Sequence, residues 1–217
     1  MRTRVFLPIL IAAAALVFLG ARLISNDYVF FAGYTVLQFV VLATAWNILG
    51  GYTGYVNFGS AAFFALGAYS TVFLHKLYPM PIPILIVVGG VVSGLVGLGM
   101  GYLTLRLKLV ATTLSGALMG MAGAPFPYYI GYLQPSSAFG LEYAVNSIAM
   151  PMIGGTTSWV GPLIGAILLG SLQQYVTVTI SSSVNVLVVG ALLILFVIIA
   201  PNGIVGLVQA RLHARRK

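Results

Sequence analysis

The sequence predicts an all-α, polytopic transmembrane protein with about eight hydrophobic segments. Three observations predict it. Sixty per cent of the 217 residues are hydrophobic, and the mean hydropathy is +1.09. Only 6% are charged, where a soluble domain is usually near a quarter. The apolar runs are long and continuous rather than alternating, which argues against an outer-membrane barrel. Two acidic and ten basic residues cannot cover a water-facing surface of this size. An ordinary cytosolic enzyme is therefore excluded, and the apolar excess excludes disorder. A crossing needs about 20 apolar residues, so the length allows roughly eight crossings with short loops.

The segments follow in order. Residues 5–23 form the first apolar stretch, after Met1, Arg2, Thr3 and Arg4. The charged start followed by an apolar run resembles a signal peptide. The run is long and Gly20-Ala21-Arg22 is a poor cleavage site, so an uncleaved first span is expected. Ser25, Asn26 and Asp27 make a polar break, with Asp27 a candidate helix cap. Residues 28–49 form the second stretch, with Gln38 and Asn47 as its polar members. A Gly-rich segment, 50–59, follows. Residues 60–74 form the third stretch, ending at His75 and Lys76. Pro79, Pro81 and Pro83 are expected to keep the next connection non-helical. Residues 84–105 form the fourth stretch, closed by Arg106, Leu107 and Lys108.

Residues 109–132 form the fifth stretch, interrupted by Pro125 and Pro127, and 134–140 is a loop. Residues 142–153 are apolar but short for a crossing, and Pro151 is expected to break them. A second Gly-rich segment spans 154–162. Residues 163–180 and 184–200 are the last two stretches, separated by Ser181, Ser182 and Ser183. Pro201, Asn202 and Gly203 close the last stretch, and 211–217 is a basic tail.

Lysine and arginine placement sets orientation. With the N-terminus in the cytoplasm and strict alternation, Arg2, Arg4, Arg106, Lys108, Arg211, Arg215, Arg216 and Lys217 fall inside, and Arg22 and Lys76 outside. Eight against two supports an even number of crossings, with both termini cytoplasmic and 142–153 counted as one crossing. The same retention of cytoplasmic loops explains the net charge of +8 better than nucleic-acid binding does. No nucleic-acid partner is expected.

Catalytic chemistry fails by inventory. There is no cysteine, so disulfides, iron–sulfur clusters and thiol catalysis are excluded. The histidines are His75 and His213, and the carboxylates Asp27 and Glu142. No set has metal-ligand spacing or builds a nucleophilic triad, and neither Gly-rich segment has a phosphate-loop pattern. No catalytic residue, metal or cofactor is expected. No charge sits mid-span, so a proton relay is weakly supported.

The spans instead hold glycine and neutral polar groups. Ser93, Gly97 and Gly101 form a small-xxx-small series, which usually means close helix packing; a hinge or a lining for a solute path is the functional alternative. Gly50, Gly51 and Gly54 make a continuous helix costly. Broken backbone at membrane depth is tolerated where it is buried or lines a cavity. Thr53 and Asn57 would then serve either a polar solute or the freed backbone, unless the segment is a simple interhelical loop. Gly154, Gly155, Gly161 and Pro162 permit the same two readings, with Trp159 a candidate interface anchor. Residues 50–53 and 154–157 share the pattern Gly-Gly-x-Thr, too short by itself to establish duplication.

The run from Ala45-Trp46-Asn47-Ile48-Leu49-Gly50-Gly51-Tyr52-Thr53-Gly54-Tyr55 to Val56-Asn57-Phe58-Gly59 closely resembles the signature of LivM/LivH-type permeases. Those are membrane subunits of ABC importers for branched-chain amino acids. The run 61–69 fits the same family and looks more like LivM. Residues 114–124, the run Ile153-Gly154-Gly155 through Trp159, Gly161-Pro162 and Gly165-Ala166, and Pro201-Asn202-Gly203-Ile204 resemble later blocks in family order. The resemblance implies a single transmembrane permease domain over 1–217 in the lipid bilayer of a bacterial-type inner or plasma membrane. It implies a second permease subunit, two ATPase subunits that bind the ATP, and an extracytoplasmic solute-binding protein as partners. Thr53, Gly54, Asn57 and Gly59 would line the solute pathway. Gly50, Gly51, Gly97, Gly101, Gly154, Gly155, Gly161 and Pro162 would serve hinging or packing.

One departure stands out. The family carries further spans and an ATPase-docking loop, with a pattern like Glu/Ala-Ala-x-x-x-Gly, between the helices that here end near Lys108 and begin at Leu109. Here Lys108 runs straight into Leu109-Val110-Ala111-Thr112. The chain looks like an N-terminal part (1–108) joined to a C-terminal part (109–217) with the middle deleted. The alternative expectation is thus a remnant that inserts in the membrane but does not couple to an ATPase.

Overall fold

The computed structural model describes residues 26–104, 108–179, 182–200 and 203–207. The first apolar stretch, Arg106, Pro201, Asn202 and the basic tail lie outside the described residues. The described chain is helical, with no strand among the described residues. The elements are α1 (Asp27–Thr53), α2 (Ser60–Leu77), α3 (Ile82–Thr104), α4 (Leu109–Gly123), α5 (Phe126–Ile130), α6 (Pro135–Ala138), α7 (Leu141–Gly154), α8 (Val160–Thr179) and α9 (Ser182–Ile199). Among the described residues, four helical stretches are long and apolar enough to cross a membrane: Asp27–Thr53, Ile82–Thr104, Leu109–Ile130 and Val160–Thr179. The predicted all-α membrane class is what the structure has.

The chain divides into two units, Met1–Thr35 and Val36–Lys217. In the first, the described residues open α1. The cap is Asn26 rather than Asp27: Asn26 Oδ1 accepts the Tyr28 N–H at 2.9 Å, satisfying an orphan donor of the first turn. Asp27 is instead the first helical residue, where its charge suits the helix N-terminus.

In the second unit α2, α3 and α4 pack on one another, with α3 against α4 the most extensive pairing. Without a hydrophobic drive between helices in lipid, close backbone approach and interhelical hydrogen bonds carry association. Both are present. A Cβ on Gly67 of α2 would strike the Gly120 carbonyl of α4, and one on Gly123 would strike that of Phe64. Ser93 of α3 donates to the Phe63 carbonyl at 3.0 Å, and Ser115 of α4 to that of Ala45 at 2.7 Å. Gln38 Nε2 donates to the Ala122 carbonyl at 3.2 Å. Phe64, Phe126 and Tyr143 form an aromatic cluster that ties α2, α5 and α7. Its centroid distances are 4.1 Å for the stacked Phe64–Tyr143 pair and 5.2 and 5.8 Å for the edge-on pairs.

Three local expectations are corrected. Pro83 sits in the first turn of α3, where its missing N–H costs nothing. Gly50 and Gly51 lie inside α1, which runs on to Thr53. Pro151 does not break α7, which continues to Gly154. Packing holds that last turn: Pro151 is fully buried, and a Cβ on Gly165 of α8 would strike the Met150 carbonyl. With 14 residues, α7 reaches about 21 Å at 1.5 Å per residue, short of a hydrocarbon core of about 30 Å.

Candidate functional site

The break after α1 is made by Gly54. Its φ is +77°, a left-handed conformation that glycine adopts without a Cβ penalty. The Tyr55 N–H turns back to the Leu49 carbonyl at 3.2 Å. The chain then runs non-helically to Gly59 and re-enters a helix at Ser60.

Two side chains hold this break in shape. The Trp46 indole N–H donates to the Asn57 carbonyl at 2.9 Å, and Asn57 Oδ1 accepts the Gly59 N–H at 2.9 Å. Asn57 is buried, with its Nδ2 on Met119 Sδ of α4 at 3.8 Å. Thr53 Oγ1 donates to the Leu49 carbonyl at 2.6 Å. Of the two uses expected for Thr53 and Asn57, these bonds go to freed backbone. A Cβ on Gly59 would stand 3.2 Å from Asn57 Oδ1, whereas Gly54 faces open space. Tyr52, Tyr55, Val56 and Phe58 of the same segment are exposed, Phe58 to 76%.

The second Gly-rich segment meets the first. A Cβ on Gly51 would lie 2.8 Å from the Thr156 carbonyl. The two Gly-Gly-x-Thr runs, about a hundred residues apart in sequence, are therefore neighbours. Around the second run the backbones are closer still. A Cβ on Gly154 would strike the Gly161 carbonyl, one on Gly161 the Gly155 carbonyl, and one on Gly203 the Gly155 amide. Gly155 has φ 112° and ψ 123°, a conformation essentially restricted to glycine. Pro162 is fully buried in the first turn of α8. Gly97 and Gly101 lie apart from this cluster, in α3 against Thr112 of α4. A Cβ there would stand 3.0 Å from the Thr112 carbonyl and 3.2 Å from the Thr112 Cβ, respectively.

At the meeting point lies Asn47. It is 1% exposed, and its Oδ1 is the one buried side-chain polar atom without a hydrogen-bond partner among the described residues. A Cβ on Gly51 would strike that oxygen. Such an atom costs free energy unless something donates to it, and functional sites are where the cost is tolerated.

Sequence reasoning noted Asn47 only as a polar member of a span. It passed over the Gly161–Gly165 and Gly116–Gly120 pairs, both of which show the small-xxx-small signal. It also missed the buried Asn146–Gln173 pair, hydrogen-bonded at 2.8 Å between α7 and α8. Two amides within apolar stretches were the available signal.

A sequence profile of the family described as branched-chain amino acid transport system / permease component matches the chain over residues 28–112 and 100–197. No curated protein and no solved structure matches it significantly. The matched stretches hold both Gly-Gly-x-Thr runs, the helices that bring them together and the four helical stretches able to cross a membrane. On that match and that architecture, the chain is a multi-pass membrane protein and belongs to the family of permease components of branched-chain amino acid transport systems.

Proposed function

We propose that the chain is a permease subunit of an ABC importer that moves branched-chain or related amino acids across a bacterial-type inner or plasma membrane. Energy comes from two separate ATPase subunits. The family match over most of the chain carries the reading. The partners are a second permease subunit, same or different, and an extracytoplasmic solute-binding protein. Both termini face the cytoplasm, as the charge bias suggests, and residues 1–217 act as one permease domain. Thr53, Gly54, Asn57 and Gly59 border the pathway between permease subunits. The exposed aromatics around them and the unpartnered Asn47 oxygen beneath them support this placement. Gly50, Gly51, Gly154, Gly155, Gly161 and Pro162 serve hinging or packing: Gly51, Gly154, Gly155 and Gly161 let backbones approach closely, Gly50 lies against the Trp46 ring and Pro162 is buried, while Gly97 and Gly101 seat α3 on α4. Weak, neutral hydrogen bonding in this region lets a zwitterion pass without trapping it.

A second reading has its own support. Between α3 and α4 only residues 105–108 intervene, and the two matched stretches overlap at 100–112. That is the pattern of a permease whose middle, including the ATPase-docking loop, is missing. Such a chain inserts in the membrane and transports nothing. Co-expression with the ATPase subunits and affinity purification separates the two readings. An importer subunit retains the ATPase through detergent extraction and supports ATP-dependent leucine uptake. A chain recovered folded but free of ATPase, with no uptake, refutes the importer reading in favour of the remnant. Sequencing the transcript across codons 108 and 109 gives an independent answer about the missing segment.

A further inference from the structure

Outside the Gly-rich region, α7, α8 and α9 line a half-open cavity of about 290 Å³. That is at the lower edge of ligand-pocket sizes, about 300 Å³, and suits a small solute rather than a nucleotide or a large cofactor. Its lining is chemically divided. Buried Val189 and the exposed Leu141 and Val145 at the rim are apolar, whereas Glu142, Asn146 and Gln173 are polar. Glu142 and Asn146 stand four residues apart on α7 and so share a face.

Asn146 and Gln173 are 6% and 2% exposed. Gln173 Nε2 donates to Asn146 Oδ1 at 2.8 Å, which fixes both amides. One bond occupies one of their four N–H groups, and donor capacity remains. Glu142 is one of two acidic residues in the whole chain. The described basic residues, His75, Lys76 and Lys108, do not line this cavity. Glu142, in the first turn of α7, stands exposed at the rim of the cavity beside these buried amides.

We propose that this cavity binds a free aliphatic amino acid, with Glu142 taking its ammonium group, the Asn146–Gln173 amides its carboxylate, and Leu141, Val145 and Val189 its side chain. The three parts of the lining match the three parts of that ligand. In the proposed orientation α7 starts at the outer face, so the cavity receives solute before it reaches the Gly-rich region. The choice of ligand rests on the importer reading; the site itself rests on this lining.

The test is binding of radiolabelled leucine to the full chain in lipid nanodiscs without any ATPase, with variants checked for wild-type helicity. Wild-type chain should bind leucine saturably. Glu142→Gln should weaken binding by about tenfold or more, the scale of a lost charge-assisted hydrogen bond, with Glu142→Asp partly restoring it. Val189→Trp should abolish binding by filling the cavity. As competitors, 3-methylbutylamine should retain part of leucine's effect and 4-methylpentanoate, which lacks the ammonium, should have almost none. No leucine binding by wild-type chain, equal competition by 4-methylpentanoate, or unchanged binding in both Glu142→Gln and Val189→Trp would overturn the proposal. If Glu142→Gln does not fold, Val189→Trp carries the decision. Failure of ATPase co-purification would sink the importer reading and leave this result untouched.

Discussion

Replacing Gly120 with alanine tests how the α2–α3–α4 packing is held. The added Cβ would strike the Ser93 side chain and would stand 2.6 Å from the Gly89 carbonyl oxygen. Ordinary contact begins near 3.4 Å and the Ser93 Cβ, which no rotation moves, would stand at 2.4 Å, so α3 and α4 must part by about 1.0 Å (3.4 − 2.4). A gap of about 0.5–1 Å forfeits a quarter to a half of the dispersion attraction of each facing pair. Ser93 cannot swing aside without giving up its 3.0 Å bond to the Phe63 carbonyl. Overpacking of this kind costs about 1–3 kcal/mol, and the bond to Phe63 puts Gly120→Ala at the upper end. Gly99→Ala is the matched control. It lies in α3 with nothing within 4 Å of its Cβ position, so it should stabilise by about 0.5–1 kcal/mol through helix propensity alone. Unfolding in mixed micelles with rising SDS, followed by circular dichroism, reads both. Equal stability of the two variants would refute packing by close backbone approach.

Three further outcomes are expected. Trp46→Phe removes the donor to the Asn57 carbonyl and should cost about 1 kcal/mol; hydrogen exchange should rise at 54–59 and stay unchanged in α8, and uniform protection would contradict the role given to this bond. Gly155→Ala places a Cβ in a conformation reserved for glycine and should destabilise by about 1–3 kcal/mol, read in the same SDS titration; a neutral result would mean that the segment has another accessible arrangement. Asn47→Leu removes a buried acceptor without a partner and should be neutral or stabilising by about 1 kcal/mol, while slowing leucine uptake if the region borders the pathway. A large loss of stability would show that Asn47 holds the fold instead.

Much of the helix order was legible because its punctuation is local. Pro125 and Pro127 end α4 and start α5, and the polar break at 25–27 starts α1. What sequence periodicity could not reveal was set by tertiary contact. Pro151 is tolerated in α7 because α8 presses on that turn through Gly161 and Gly165. Gly50 and Gly51 stay helical because Trp46 and Asn47 lie over them one turn earlier, and the break moves to Gly54. Asn26 caps α1 in place of its neighbour because the helix begins at Asp27, which leaves Asn26 at the flanking position from which its Oδ1 reaches the Tyr28 amide. For the candidate site, the repeated Gly-Gly-x-Thr pattern was readable. That residues 51 and 156 touch was not, since nothing local encodes a contact across about a hundred residues.

The Trp46 latch makes the chain its own optical reporter. Two tryptophans are present, and they differ sharply: Trp46 is 4% exposed and Trp159 54%. A Trp159→Phe chain therefore emits from one indole, held by one hydrogen bond to the break that follows α1. Any movement that frees the Asn57 carbonyl changes that indole's surroundings, so emission colour and acrylamide quenching follow the break in real time. Solute, partner subunits and nucleotide can then be added in turn, with the protein's own fluorescence showing which of them opens it.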